Sequence, residues 1–105
     1  MAASAPTPWL APSPDVIDPE AVPYFTWDNP VTNAVIRGVI ATGPEPDRCY
    51  WMARILREAR YDDVWAYVDL RADVLPRFEA LLPLLGRRRA FWEFLIGAWR
   101  RQGVV

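Results

Sequence analysis

The pattern of apolar and polar positions changes near residue 25, from an irregular proline-rich stretch to segments with helical periodicity. The first periodic segment follows Asn29-Pro30, a favourable helix start because Asn caps free N–H groups and Pro fits the first turn. Its apolar residues recur at a spacing of three and four, on one side of a helix: Val31, Val35, Ile36, Val39 and Ile40. Gly43-Pro44 ends the segment, and its β-branched residues leave a strand as the competing prediction.

Four further helices are predicted by the same periodicity and by their start and stop residues. The first runs over residues 45–60 and is strongly amphipathic, with Arg54, Arg57 and Glu58 on its polar half. A short helix follows that Asp62 could cap, then one over residues 73–82, and finally one over residues 87–102 that Gly103 closes. The sequence therefore predicts an all-α fold, a compact bundle of four or five short helices.

The last predicted helix carries more apolar surface than one packing face needs. Its apolar residues cover an arc of roughly 200°, whereas a helix packed on one side needs a stripe of only ~100°. A second layer of the same chain, a twin subunit or a different partner must cover the excess. One edge of the arc combines tryptophan and arginine, the residue types that dominate interface energetics, and we predict it as the partner-binding site: Arg89, Trp92, Ile96, Trp99 and Arg100.

Consecutive arginines open this helix, where fixed positive charge opposes the helix macrodipole. Contact with phosphate would compensate, and the candidate residues are Arg87, Arg88, Arg89 and Arg101. Salt bridges to acids of the same fold are the simpler explanation. Residues 31–105 carry nine acids and twelve bases, all of them arginine, and a net charge of +3 is too weak to argue for nucleic-acid binding from charge alone.

The N-terminal part of the chain has a different composition. Residues 1–30 hold seven of the eleven prolines and four acids but no base. Because proline fixes φ and disfavours helix in the residue before it, we predict a disordered, acidic, proline-rich tail over residues 1–24. Trp9 and Leu10 could dock this tail into a partner, or the tail could be a plain leader. Residues 25–105 form the single helical domain.

The residue types that most enzymes use are missing from this chain. It has no histidine, no lysine, one cysteine and two serines, so the common nucleophile–base pairs and zinc ligand sets cannot be assembled. Asp62-Asp63 is the one adjacent carboxylate pair, and Cys49 lies on the apolar half of its helix. We therefore predict a non-enzyme without a cofactor or metal. With one cysteine, no signal-peptide pattern and no long apolar run, we expect a cytoplasmic protein that does not contact the membrane.

Two segments resemble a known group of proteins: ILREARYDDVW, from Ile55 to Trp65, and GRRRAFWEFLIGAWRRQG, from Gly86 to Gly103. They are similar to short bacterial proteins encoded beside nucleotidyltransferase-like toxins of the abortive-infection type, and the likeness covers about residues 25–105. The resemblance implies a partner-dependent, antitoxin-like role and supplies no catalytic residues. We expect a protein-binding accessory protein. The alternatives are a nucleic-acid-binding module that uses the C-terminal arginines and a self-associating structural protein.

Overall fold

The computed structural model describes residues 13–105. The all-α prediction is confirmed, since this range holds helices and turns but no strand. Three helices are long and three are single turns: α1 (Pro14–Ile17), α2 (Asn33–Thr42), α3 (Glu45–Glu58), α4 (Tyr61–Val64), α5 (Phe78–Leu81) and α6 (Arg89–Arg101). None of the helices in this range is long and apolar enough to cross a bilayer.

Helix α2 begins later than the sequence predicts. Thr32, not Asn29, is its N-cap, and the Thr32 hydroxyl accepts a hydrogen bond from the backbone N–H of Val35 at 3.3 Å. The predicted start at Asn29-Pro30 is therefore wrong, because two acceptable caps lie within four residues and periodicity cannot choose between them. Ile36 and Ile40 point into the core as predicted, whereas the side chain of Val35 is 50% exposed.

Helix α3 forms the centre of the core. Its predicted apolar half is buried: Trp51, Met52, Ile55 and Leu56, with Ala59 just after its end. Arg54 departs from its predicted place on the polar half, since it is buried. Its guanidinium donates to the backbone carbonyl of Phe25 at 2.9 and 3.0 Å and pairs with the carboxylate of Asp28. That hydrogen bond from Arg54 lowers the pKa of Asp28.

Residues 70–88 form a run of short helical turns rather than one helix. A short π-helix over Leu70–Val74 is followed by a 3₁₀ turn over Leu75–Arg77 and by α5. Two more 3₁₀ turns follow, over Leu82–Leu84 and Gly86–Arg88. Pro76 and Pro83 each lie in a 3₁₀ turn, because a proline lacks the N–H that a regular α-helix needs at that point. The predicted helix over residues 73–82 is thus interrupted by Pro76, which lies inside it, and Pro83 follows its predicted end.

Helix α6 ends where the sequence predicts. Gly103 adopts a φ of +75°, which a glycine tolerates without strain. The backbone N–H of Val104 then bonds to the carbonyl of Trp99 at 2.8 Å, and that of Gly103 to Arg100 at 3.2 Å. These two bonds form a Schellman motif, which satisfies the carbonyls left free at the helix end.

The segment just before residue 25 packs on the bundle, so the predicted tail boundary at residue 24 is wrong. The side chain of Val16 is fully buried, and its backbone carbonyl accepts a hydrogen bond from Arg37 at 2.5 Å. Asn33 donates to the carbonyls of Asp15 and Asp18 at 2.6 and 2.8 Å. Val16 lies in α1, whose first residue is Pro14, because a proline is tolerated in the first turn of a helix. The predicted tail residues 1–12, which include Trp9 and Leu10, lie outside the described range.

Candidate functional site

Helix α6 is oriented with its predicted partner-binding edge toward the core. Trp92 and Ile96 are fully buried, and the indole Nε1 of Trp92 donates to the backbone carbonyl of Leu56 at 2.9 Å. The assignment of Trp92 and Ile96 to a partner-binding surface is therefore wrong. The physical reason lies at the C-terminal end of α3, where backbone carbonyls have no partner within the helix. The indole N–H of Trp92 reaches one of them, the carbonyl of Leu56, because the ring is turned into the core.

The opposite edge of the same apolar arc faces solvent. Phe91 is 44% exposed and Phe94 is 68% exposed. We call these two phenylalanines the outer face of α6. A 200° arc, as estimated from the helical period, must leave one edge uncovered when the helix packs on one side. The surplus that the sequence predicts thus exists, but at the other edge of the arc.

The inner side of this surface packs against a cluster of aromatic rings. The ring of Phe91 lies 5.1 Å from Trp92 and 6.0 Å from Tyr61, both close to perpendicular. Trp65 continues the cluster, at 5.9 Å from Trp92 and 6.3 Å from Trp99. Edge-to-face pairs at these distances add attraction beyond the burial of area. Phe91 is therefore held against the buried ring of Trp92 and the half-buried ring of Tyr61, while its outer side remains accessible.

Trp99 and Arg100 are placed between core and surface. Trp99 is half-buried and packs against the core. The guanidinium of Arg100 is exposed and lies 5.9 Å from the ring centre of Phe78. Neither side chain belongs to the outer face, since Trp99 packs beside Trp65 and Arg100 lies over Phe78 of α5.

The three arginines that open α6 have three different environments. Arg88 donates to the carbonyls of Ala59 and Leu56, the latter at 3.5 Å. It thus provides a hydrogen-bond donor for backbone carbonyls that are left free at the C-terminal end of α3. Arg89 pairs with Glu93 at 3.7 Å, one turn along α6. Among residues 13–105, no carboxylate lies within 4.0 Å of Arg87. The predicted salt bridges within the fold therefore account for Arg89, and helix capping accounts for Arg88.

Two neighbouring depressions meet at this arginine cluster. The first, of about 340 Å³, is lined by the three rings of Tyr61, Phe91 and Trp92 together with Arg87 and Arg88. The second, of about 450 Å³, shares those two arginines. Its remaining lining residues are Arg57, Glu58 and Gly86. We call the first the aromatic depression and the second the polar depression.

The remaining candidates for chemistry have structural roles. Asp63 is buried and accepts hydrogen bonds from the backbone N–H and hydroxyl of Ser13, at 2.6 and 2.9 Å, and from the Tyr24 hydroxyl at 2.6 Å. It anchors the segment before residue 25, and Asp62 lies in the first turn of α4 rather than capping it. Burial raises the pKa of the Cys49 thiol, which makes it a poorer nucleophile.

The structure also bears on metal binding and on predicted anion contacts. Among residues 13–105, no three His, Cys, Asp or Glu side chains lie close enough together to hold a metal ion. Arg101 is exposed at the far end of α6 from Arg87, roughly 20 Å away at 1.5 Å per residue. The four arginines predicted to contact phosphate therefore do not form one cluster. No family model, curated protein or solved structure matches the chain.

Proposed function

We propose that this protein is a non-catalytic, cytoplasmic accessory protein that binds a protein partner through the outer face of α6. The observation that carries the proposal is the exposure of two phenylalanines of one helix, Phe94 and Phe91, with Phe91 packed against the buried ring of Trp92. Large aromatic side chains are favoured at interface centres, and exposed apolar patches on small domains mark interaction sites. The absence of histidine and lysine from the sequence argues against most catalytic mechanisms.

The candidate partner is a nucleotidyltransferase-type toxin encoded beside this protein. The support for it is the resemblance of residues 55–65 and 86–103 to short bacterial proteins encoded beside such toxins. Both segments contribute to the region described above, since α4 lies in the first and α6 in the second. An antitoxin-like role would require that binding change the activity of the toxin, which can be measured directly.

A nucleic acid is the less favoured ligand. Its backbone would need a continuous row of cations, because affinity comes from neutralising successive phosphates. Arg88 caps α3, Arg89 pairs with Glu93, and Arg101 stands at the other end of α6. This distribution leaves few cations that could follow a phosphate chain.

The test compares two matched substitutions by co-purification with the neighbouring gene product and by calorimetric titration. Phe94→Asp should weaken the complex about thirtyfold, because an interface aromatic residue is worth ~2 kcal/mol or more. Val35→Asp is the control, since Val35 is likewise apolar and half exposed but lies on α2. The control should bind as the unchanged protein does.

Two results would count against the proposal. If Phe94→Asp binds as tightly as the unchanged protein, the outer face of α6 is not the interface. If the isolated protein instead forms a dimer that Phe94→Asp dissociates, the outer face serves self-association. Size-exclusion chromatography with light scattering separates that outcome from binding to another protein.

A further inference from the structure

The aromatic and polar depressions form one groove next to the outer face of α6, with Arg87 and Arg88 between them. Phe91 lines the aromatic depression and also belongs to the outer face. A partner that covers Phe94 and Phe91 would therefore reach the groove without a gap. The groove is thus part of the proposed interface, and the chemistry of its ligand can be inferred from the residues that line it.

The groove combines an apolar floor with uncompensated positive charge. Within residues 13–105, Arg87 has no carboxylate within 4.0 Å, and the contacts of Arg88 are with neutral carbonyls. The one acid that lines the groove, Glu58, is paired with Arg57 at 2.9 Å. A ligand placed here would therefore meet the guanidinium of Arg87, whose charge no carboxylate of these residues balances, beside that of Arg88, which already donates to carbonyls at the end of α3.

We propose that this groove binds an acidic segment of the protein partner, with an apolar or aromatic side chain in the aromatic depression and a neighbouring carboxylate on Arg87. The inference rests on the proposed protein-binding function and specifies its chemistry. Guanidinium groups recognise carboxylates through two parallel hydrogen bonds, which fixes geometry as well as charge. A volume of about 340 Å³ is at the small end of ligand pockets and suits one or two side chains.

The charge pattern of the groove favours a carboxylate over a phosphate chain. Apart from Arg87 and Arg88, the charged side chains that line the groove are Arg57 and Glu58, which pair with each other at 2.9 Å, so a second phosphate would meet no free cation beside the first. Arg100 and Arg101 are near the opposite end of α6, too far to continue a row of contacts from Arg87. One or two anionic groups next to an apolar side chain match this arrangement better than a nucleic-acid strand does.

The experiment is an NMR titration of the full, ¹⁵N-labelled chain with three eight-residue peptides. The first has Glu-Phe-Leu-Glu at its centre, the second replaces both Glu with Lys, and the third keeps both Glu but replaces Phe and Leu with Ser. The acidic apolar peptide should shift the backbone amides of Arg87 to Phe91 and the indole N–H of Trp92. The other two peptides should each bind at least about fivefold more weakly, as expected when one contact of ~1 kcal/mol is lost.

Reversing the charge of Arg87 gives the decisive comparison. Arg87→Glu should weaken the acidic apolar peptide about fivefold or more and should strengthen the lysine peptide. Arg101→Glu is the matched control, because Arg101 is an exposed arginine at the other end of α6 that does not line the groove. This control should leave the preference for the acidic peptide unchanged.

Several outcomes would overturn the inference. Equal shifts with all three peptides, no shift at millimolar peptide, or shifts confined to residues outside the groove would each exclude an acidic apolar ligand here. Stronger binding of a twelve-residue oligo-dT at the same amides would assign the groove to nucleic acid. If Phe94→Asp abolishes capture of the partner while no peptide binds, the outer face remains the interface and only the groove assignment fails.

Discussion

Replacing Trp92 by alanine should cost the protein about 3–5 kcal/mol of unfolding free energy, the usual loss when a large aromatic residue is removed from a core. Trp92 is fully buried and touches the rings of Tyr61, Trp65 and Phe91. A domain of this size is stable by only about 5–15 kcal/mol, so the loss would be a large share of the total. We expect Trp92→Ala to be partly unfolded at 37 °C.

Two further substitutions show where this cost arises, one at Trp92 itself and one at the exposed Phe94. Trp92→Phe keeps most of the ring but removes the donor to the Leu56 carbonyl, which Arg88 also contacts at 3.5 Å. The expected loss is about 1–2 kcal/mol, the value of a hydrogen bond plus a small packing defect. Phe94→Ala should change the stability by no more than about 0.5 kcal/mol, because most of its surface is already in contact with water.

Urea denaturation followed by far-UV circular dichroism measures these differences without depending on tryptophan fluorescence, which the substitutions alter. The midpoint should move while the slope against urea stays constant, as expected when only stability changes. If Trp92→Ala unfolds within about 1 kcal/mol of the unchanged protein, Trp92 is not a core residue. The orientation of α6 described here would then be wrong, and with it the assignment of the outer face.

Three other predictions test the fold. Thr32→Ala should destabilise the protein by about 1 kcal/mol and Asn29→Ala by much less, because Thr32 is the N-cap of α2. Equal urea midpoints for the two variants would contradict the assignment of Thr32 as the cap. Asn33→Ala should cost ~3 kcal/mol or more in the same assay, because two backbone carbonyls and the Tyr67 hydroxyl lose their buried partner; a loss below 1 kcal/mol would contradict that network. The guanidinium of Arg77 donates a hydrogen bond to the Glu45 carboxylate at 2.6 Å, which lowers the pKa of Glu45 below its ordinary value of 4.5. This pairing therefore stabilises the fold above that pH, and the contribution is lost on acidification. Glu45→Gln should therefore lose less stability than the unchanged protein between pH 7 and pH 3, and parallel losses would refute the pairing.

The periodicity of the sequence was sufficient to predict most elements of the domain. Helix α3 and its buried half could be predicted because apolar residues recur every three or four positions without interruption by proline. The end of α6 could be predicted because Gly103 is the one residue there that adopts positive φ without strain. These signals are local, so they do not depend on how the helices pack.

Other features depended on contacts between distant residues. A helical wheel places Arg54 on the polar half of α3. In the structure Arg54 is buried, because the carbonyl of Phe25 and the carboxylate of Asp28 accept its hydrogen bonds. The packing of residues 13–24 depends on Asp63, fifty residues away from Ser13, and on Asn33. No periodic pattern marks these partners, because each hydrogen bond joins segments that are far apart in sequence.

The candidate site shows most clearly which features follow from the sequence and which depend on tertiary contacts. The sequence by itself determined that the last helix has a wider apolar arc than one packing face can cover, because that width follows from residue types and the helical period. It could not determine which edge of the arc is buried, since both edges carry aromatic residues. The tertiary structure decided this by placing the free carbonyl of Leu56 and the ring of Trp65 against Trp92. Phe94, at the other edge, was thereby left in solvent, because an indole N–H gains a buried hydrogen bond that phenylalanine cannot make.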